Sequence, residues 1–397
     1  MKLGKNISIA LASAGCVVMA TANQALAQSV TLEYDSQIGR PANFAAGENP
    51  FTPGTVAIPQ GIAVQEDTGN VFIANDVTNQ LDVFDSQGNY IKAIGGQGSG
   101  PGQSNGQSAI AFDPNSGNLY AGDVKNNRIN IFDPEGNYLN SIAQGEFSGP
   151  IEGRPFYGPS GIVFDNNGNG FVGDYSSDRI LKFDTSSGEV TGSIGSNGTG
   201  LGQFQGPSGI GITSEGNLVV TDQNNNRVQV LDQQGNSLLT FGTQGTGDGQ
   251  FNQPIDAEVD QKGNIYVTDS INSRVQVFDK DGNFLTKFGE PAVDAEGNVV
   301  PPLALGAPSP YGDPLDLEPG KFNWTGGSDL KDGKYYVGDF FQGRVQVLDV
   351  DYKEGDKGST EVPEPGTVLG LTVLGIGAGA VRLKKYLQQK QSANSIN

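Results

Sequence analysis

The chain contains no histidine, and this decides most of the chemistry open to it. Without imidazole there is no Ser-His-Asp or Cys-His nucleophile, no histidine general base and no imidazole metal ligand. Carboxylates remain, with 44 Asp and Glu against 24 Lys and Arg. Their most regular members are Asp76, Asp123, Asp174, Asp222, Asp269 and Asp339, which recur at intervals of about fifty residues, the last interval being longer. An arginine follows each of the last five by five positions: Arg128, Arg179, Arg227, Arg274 and Arg344; the first copy is one residue shorter and has Gln80 there. A second series, Asp85, Asp133, Asp184, Asp232, Asp279 and Asp349, stands five residues further on. These charges either ring a site or fix turns and tie neighbouring modules together. A site needs asymmetry and a scaffold needs repetition, so the pairs read as scaffold. Asp165-Asn166-Asn167-Gly168-Asn169-Gly170 opens with the spacing of a calcium loop, but the closing ligand position falls on Ser176, where calcium needs a bidentate Glu. No catalytic residue, metal or cofactor is assigned.

The elements that carry these residues are short strands. Gly (59) and Pro (21) are too abundant for a helical protein. In one copy, Pro254–Val259 reads as a first strand, 265–268 as a second, Arg274–Phe278 as a third and Phe284–Phe288 as a fourth. The turn at 260–264 begins with Asp, which bonds nearby N–H groups, and places Gly263 in the left-handed position. The third strands, such as Arg274-Val275-Gln276-Val277-Phe278, are apolar on both faces, as a sheet packed between two neighbours requires. Four short strands per repeat and no helical period indicate an all-β β-propeller. Pro207-Ser208-Gly209-Ile210, Gly263-Asn264-Ile265-Tyr266-Val267-Thr268-Asp269 and Asn226-Arg227-Val228-Gln229-Val230 resemble the NHL repeat family from Pro59 to Asp349, apart from one insertion. The resemblance implies a fold rather than an activity.

Six blades are expected, near 59–95, 107–143, 159–195, 207–242, 254–289 and 322–350. The sixth lacks a fourth strand, and residues 30–39 have the matching ending Ser36-Gln37-Ile38-Gly39. The N-terminal strand is therefore expected to complete the last blade and close the ring. Residues 290–321 form a Pro-rich insertion, expected as an ordered surface loop or flap, and 351–361 a linker.

Positions where the copies differ are the candidate site. In a four-stranded blade the second-to-third-strand loops and the interblade linkers share one face. There the copies offer Lys125, Tyr175, Phe340, Phe341 and Gln342, and the linker before the third copy adds Arg154, Phe156 and Tyr157. Asp256 and Trp324 begin first strands near the channel. Aromatics beside Arg and Asp suit stacking on a sugar or gripping an extended peptide; the alternative is that they pack beneath the insertion.

The two ends read as addresses. Lys2 and Lys5, the apolar 7–22 and Ala25-Leu26-Ala27 form an expected signal peptide, residues 1–27; Ser13-Ala14-Gly15-Cys16 leaves a lipid anchor open as an alternative. Residues 28–350 form the propeller and 362–397 a tail. Pro363, Glu364 and Pro365, the apolar 366–381 and then Arg382, Lys384 and Lys385 resemble the PEP-CTERM sorting signal. That resemblance implies an exported cell-envelope, surface or extracellular protein, an exosortase-type membrane peptidase as partner, and membrane contact through the tail before processing; a plain C-terminal anchor is the alternative. A formal charge of −20 excludes nucleic-acid binding through phosphates. The expected function is a non-catalytic binding or scaffold propeller for a protein or carbohydrate ligand. The alternative is a metal-dependent, lactonase-like hydrolase with a divalent ion in the channel.

Overall fold

The computed structural model describes residues 29–152, 157–300 and 315–353. The expected signal peptide, the tail from 354 onward, and candidates Arg154 and Phe156 lie outside them. Ser29–Tyr352 forms one compact unit. It contains six four-stranded sheets, each ordered from inner to outer strand along the chain except the last. The first blade runs through Pro59–Val64, Val71–Asn75, Gln80–Phe84 and Tyr90–Gly95. The inner strands of the next four are Gln107–Phe112, Pro159–Phe164, Pro207–Ile212 and Pro254–Val259.

The last blade consists of Thr325–Lys331, Lys334–Asp339 and Arg344–Lys353, with Ser29–Ile38 paired outside them. Val30 and Leu32 enter the core shared with the fifth blade, and Ile38 the core shared with the first. Lys334 bonds both Asp35 and Asp349, at 2.9 and 2.8 Å. The chain's beginning thus hides the edge that its end leaves open. Residues 351–353, expected in a linker, instead continue the third strand. The reason is an anchor on the fifth blade: the Tyr352 hydroxyl donates to Asp260 at 2.7 Å and Lys262 lies 3.5 Å over its ring.

Sequence and geometry agree at the turns. Asp279 Oδ1 accepts N–H bonds from Asp281 and Asn283 at 2.9 and 2.8 Å, and Gly282 has φ 80°. Asp165 does the same with Asn167 and Asn169, so the calcium-like hexapeptide is an ordinary blade turn. The glycine of the Pro-x-Gly-Ile motif has a packing cause. A Cβ on Gly61 would lie 2.8 Å from the Ile110 nitrogen and the Ser108 oxygen, and one on Gly161 would lie 2.6 Å from the Ile210 nitrogen. Neighbouring inner strands approach backbone to backbone.

Several interblade linkers are pinched by a short parallel contact, such as Thr243–Gln244 with Gln250–Phe251, Gln97 with Ser104 and Asn197 with Phe204. The insertion at 290–321 starts and ends on the corresponding linker. Its base, Glu290–Pro291 against Lys321–Phe322, keeps the parallel pairing.

Candidate functional site

The repeated charges come first, because they define what is scaffold. Asp123 and Arg128, Asp174 and Arg179, Asp222 and Arg227, Asp269 and Arg274, and Asp339 and Arg344 pair at 2.7–3.1 Å with buried carboxylates. The remaining guanidinium hydrogens bond linker carbonyls; Arg227 reaches Thr199, Gly200 and Gln203. The second carboxylate oxygen accepts a linker N–H, as Asp222 does from Gln205 at 2.7 Å. Each pair therefore clamps the incoming linker.

The first blade corrects the sequence alignment. Its strand register sets Asn75 opposite Gln80, as Asp123 is set opposite Arg128. The member of the series is Asn75, not Asp76. Its amide donates to Asp82 at 2.7 Å, whereas Asn130 donates to Asp123 in the second blade. Donor and acceptor have exchanged strands. Asp76 is released by one position and stands on the loop, at the place held elsewhere by Val124, Tyr175 and Gln223.

These four side chains line a cavity of about 260 Å³ at the mouth of the central channel, where inner strands from all six blades begin. Of the sequence candidates, Lys125, Tyr157, Tyr175 and Asp256 line it. Tyr175 is fully buried, its hydroxyl accepting from Asn224 at 3.0 Å, while Lys125 is exposed. Trp324, Phe340, Phe341 and Gln342 are not part of the wall. The Trp324 ring stacks on Phe341 at 5.6 Å and 15°, and meets Phe340 edge-on at 6.1 Å. Gln342 is buried and accepts the Asp316 N–H of the insertion at 3.0 Å. These four pack together at the insertion's base.

The wall is chemically lopsided. At the position of Gly61, Ala109, Gly161 and Gly209, the fifth blade has Asp256. At the position of Ala63, Ala111, Val163 and Gly211, the fifth and sixth blades have Glu258 and Asp329. Asp256 Oδ2 accepts from the Ser328 N–H and hydroxyl at 2.7 and 3.0 Å, and Oδ1 from the Ala257 N–H at 3.0 Å. Asp329 likewise accepts from Val64 at 2.6 Å and Leu330 at 2.7 Å. These two aspartates bridge the fifth, sixth and first inner strands. Burial raises both carboxyls to about 6. Burial, then the charges of Asp256 and Asp329, push Glu258 well above the usual range. Burial also raises Asp76 to about 6 against the opposing pull of Lys125.

Sequence reading missed Gln223 and Gln107 in the wall. Their signal was departure from the consensus at aligned loop and strand-start positions. Both Gln223 amide ends, Gln107 Oε1 and Ser108 Oγ have no hydrogen-bond partner.

A divalent ion in the channel would need several free carboxylates converging from different inner strands. Asp256 and Asp329 already place both oxygens on N–H groups. Among the described residues no group of three Asp, Glu, His or Cys side chains is arranged to hold a metal. The donor set does not fit one. The described residues also contain no helix long and apolar enough to cross a membrane.

Comparison with known proteins agrees with this architecture. Residues 56–143 match a family described as a 6-bladed beta-propeller, and residues 204–231 and 251–278 match the NHL repeat. No curated protein matches the chain. Among solved structures, a catalytically inactive virginiamycin B lyase from Staphylococcus aureus with quinupristin is similar at 13% identity and a TM-score of 0.51, over 81% of this chain and 99% of that one. A streptogramin B lyase is similar at 14% identity and 0.50, over 83% and 100%. A protein of unknown function from Bacteroides thetaiotaomicron is similar at 17% and 0.55, over 82% and 76%. At these identities the likeness concerns the fold alone. With blade count, strand order and repeat matches in agreement, the chain is a six-bladed β-propeller containing NHL repeats.

Proposed function

We propose that this protein is an exported cell-envelope or surface propeller, acting as a non-catalytic binding or scaffold module for a protein or glycan ligand. The observation that carries the reading is the division of labour among its charged groups. Every repeated Asp–Arg pair is consumed in holding linkers, and the asymmetry that recognition requires is concentrated in the 260 Å³ cavity. That volume lies just below the ~300–1,000 Å³ of pockets that enclose whole drug-sized ligands. It suits one residue or one sugar of a larger partner. The Ser328 hydroxyl beside Asp256 has no imidazole to activate it, and the other polar groups facing the cavity are carboxylates, amides and hydroxyls in the same position.

Export rests on the sequence of the two ends. The leader at 1–27 directs secretion, and the segment at 362–397 engages an exosortase-type peptidase at the membrane before processing. Cell fractionation of tagged full-length protein, with and without residues 362–397, tests the sorting. A glycan and peptide array probed with the full chain tests the binding. The reading predicts a ligand whose retention falls on Asp256→Ala substitution; turnover of lactones or esters by the purified protein, lost in the same variant, refutes it.

A further inference from the structure

The unmet groups in the cavity are mostly acceptors. Glu258 lines it, is partly exposed to the channel and accepts no hydrogen bond among the described residues. Gln223 is fully buried in the wall with its Oε1 unpartnered, and Gln107, 3% exposed, also has an unpartnered Oε1. Ser108 Oγ and, at the mouth near Lys125, the Asp76 carboxylate complete the set. Against these acceptors stand two unmet donors, Gln223 Nε2 and the Ser108 hydroxyl hydrogen. A buried polar group without a partner is costly, so the wall favours a ligand that brings several donors and positive charge. An alkylammonium is such a group: three N–H donors, no acceptor, one charge.

The competing cation is badly placed to serve. Lys125 is exposed at the mouth, where its side chain and Asp76 both lie close to Gly106. Glu258 is two residues further along its strand than Asp256, about 7 Å deeper by strand rise. The first four blades present only glycine, alanine or valine at the corresponding positions, and Asp329 in the sixth has both oxygens on N–H groups. The chain's charge of −20 adds a long-range attraction for cations.

We infer that the cavity receives a primary ammonium group on a short aliphatic stem, with Glu258 as counter-ion and the Gln223 and Gln107 carbonyls as neutral acceptors. This rests on the cavity being the binding site. The same chemistry is carried by a free alkylamine or by a lysine side chain of a partner protein.

Calorimetric titration of the full chain tests it, with three probes: n-butylammonium, the neutral isostere n-butanol, and Nα-acetyl-lysine N-methylamide. Both amines bind and butanol does not. Tighter binding of the lysine derivative assigns the source to a protein, and tighter binding of butylammonium to a free amine; either supports the site. Glu258→Gln weakens both amines about tenfold or more, as loss of a hydrogen bond to a charged group does. Gln223→Leu weakens them by a smaller factor and provides a second reading if the first variant misfolds. Butanol binding as well as the amines, or unchanged affinity in both variants, overturns the inference. A glycan or peptide captured equally by the parent and Glu258→Gln overturns the ammonium assignment and leaves the binding-module reading standing.

Discussion

Closure of the ring by the chain's own beginning is open to a quantitative test at Leu32 and Ile38. Leu32 is 9% exposed and packs with Val350, Tyr266 and Leu348 in the seam between the fifth and sixth blades. Ile38 is 3% exposed and packs with Val56, Phe84 and Val345 in the seam between the sixth and first. Truncating a buried Leu or Ile to Ala costs about 2–5 kcal/mol, the spread reflecting how far the cavity collapses. The two side chains belong to separate clusters, so their costs add. Leu32→Ala with Ile38→Ala then removes about 4–10 kcal/mol, against a whole-domain stability of about 5–15 kcal/mol. Urea unfolding followed by fluorescence reports this directly, because the chain's one tryptophan, Trp324, lies beside the closing blade. Leu139→Ala, on the second blade's outer strand at 51% exposure, is the control and shifts stability by no more than ~0.5 kcal/mol. If the double variant unfolds within about 1 kcal/mol of the parent, a resolution comfortably finer than the ~4 kcal/mol lower bound, the strand at 29–38 does not hold the ring shut.

Two further predictions separate scaffold from surface. Arg344 and Asp339 are both fully inaccessible, and the guanidinium also reaches Gln37, Leu317 and Lys321; Arg344→Met strands a buried carboxylate and costs about 3–5 kcal/mol in urea unfolding. Lys280→Ala, which breaks an exposed pair with Asp281, leaves the same midpoint essentially unchanged. Equal effects of the two would remove the argument that the repeated pairs are structural clamps. Gly161→Ala forces the third and fourth inner strands apart and costs about 1–3 kcal/mol or more, while Gly192→Ala, whose Cβ meets nothing within 4 Å, is neutral or mildly stabilising in a thermal melt.

The fold was legible because its determinants are local and repeated. Asp before Gly sets each turn, alternating apolar residues set each strand, and six copies average away individual irregularities. Even the closing strand was readable from Ser36-Gln37-Ile38-Gly39. The site was less legible, for two physical reasons. Alignment by residue type chose Asp76 over Asn75, because a donor–acceptor exchange with Asp82 is invisible until strand register is known. Aromatic residues on the loops suggested stacking surfaces, yet Trp324, Phe340 and Phe341 satisfy one another. A ring offers the same contact energy to a ligand or to a neighbouring ring, and only geometry tells which.

The lopsided wall has an energetic consequence that distinguishes recognition from scaffolding. Asp256 and Asp329 are tied into neighbouring backbones, whereas Glu258 is held among Asp256, Asp329 and the buried Tyr335 hydroxyl without a hydrogen bond of its own. Its carboxyl is raised in the folded protein, so Glu258 contributes its full stability below its ordinary value of 4.5 and loses it as pH climbs toward the raised value. Alanine occupies the same position in the first two blades, so Glu258→Ala fits the backbone. The variant should match the parent near pH 4 and exceed it progressively above pH 5, in urea midpoints measured across that range. The same substitution should abolish alkylammonium binding, a trade of stability for function common at sites. Were Glu258→Ala less stable than the parent at every pH, the carboxyl would be a structural member like its two neighbours. The cavity would then be left with Asp76, at its mouth near Lys125, as the lining acid whose carboxylate accepts no hydrogen bond among the described residues.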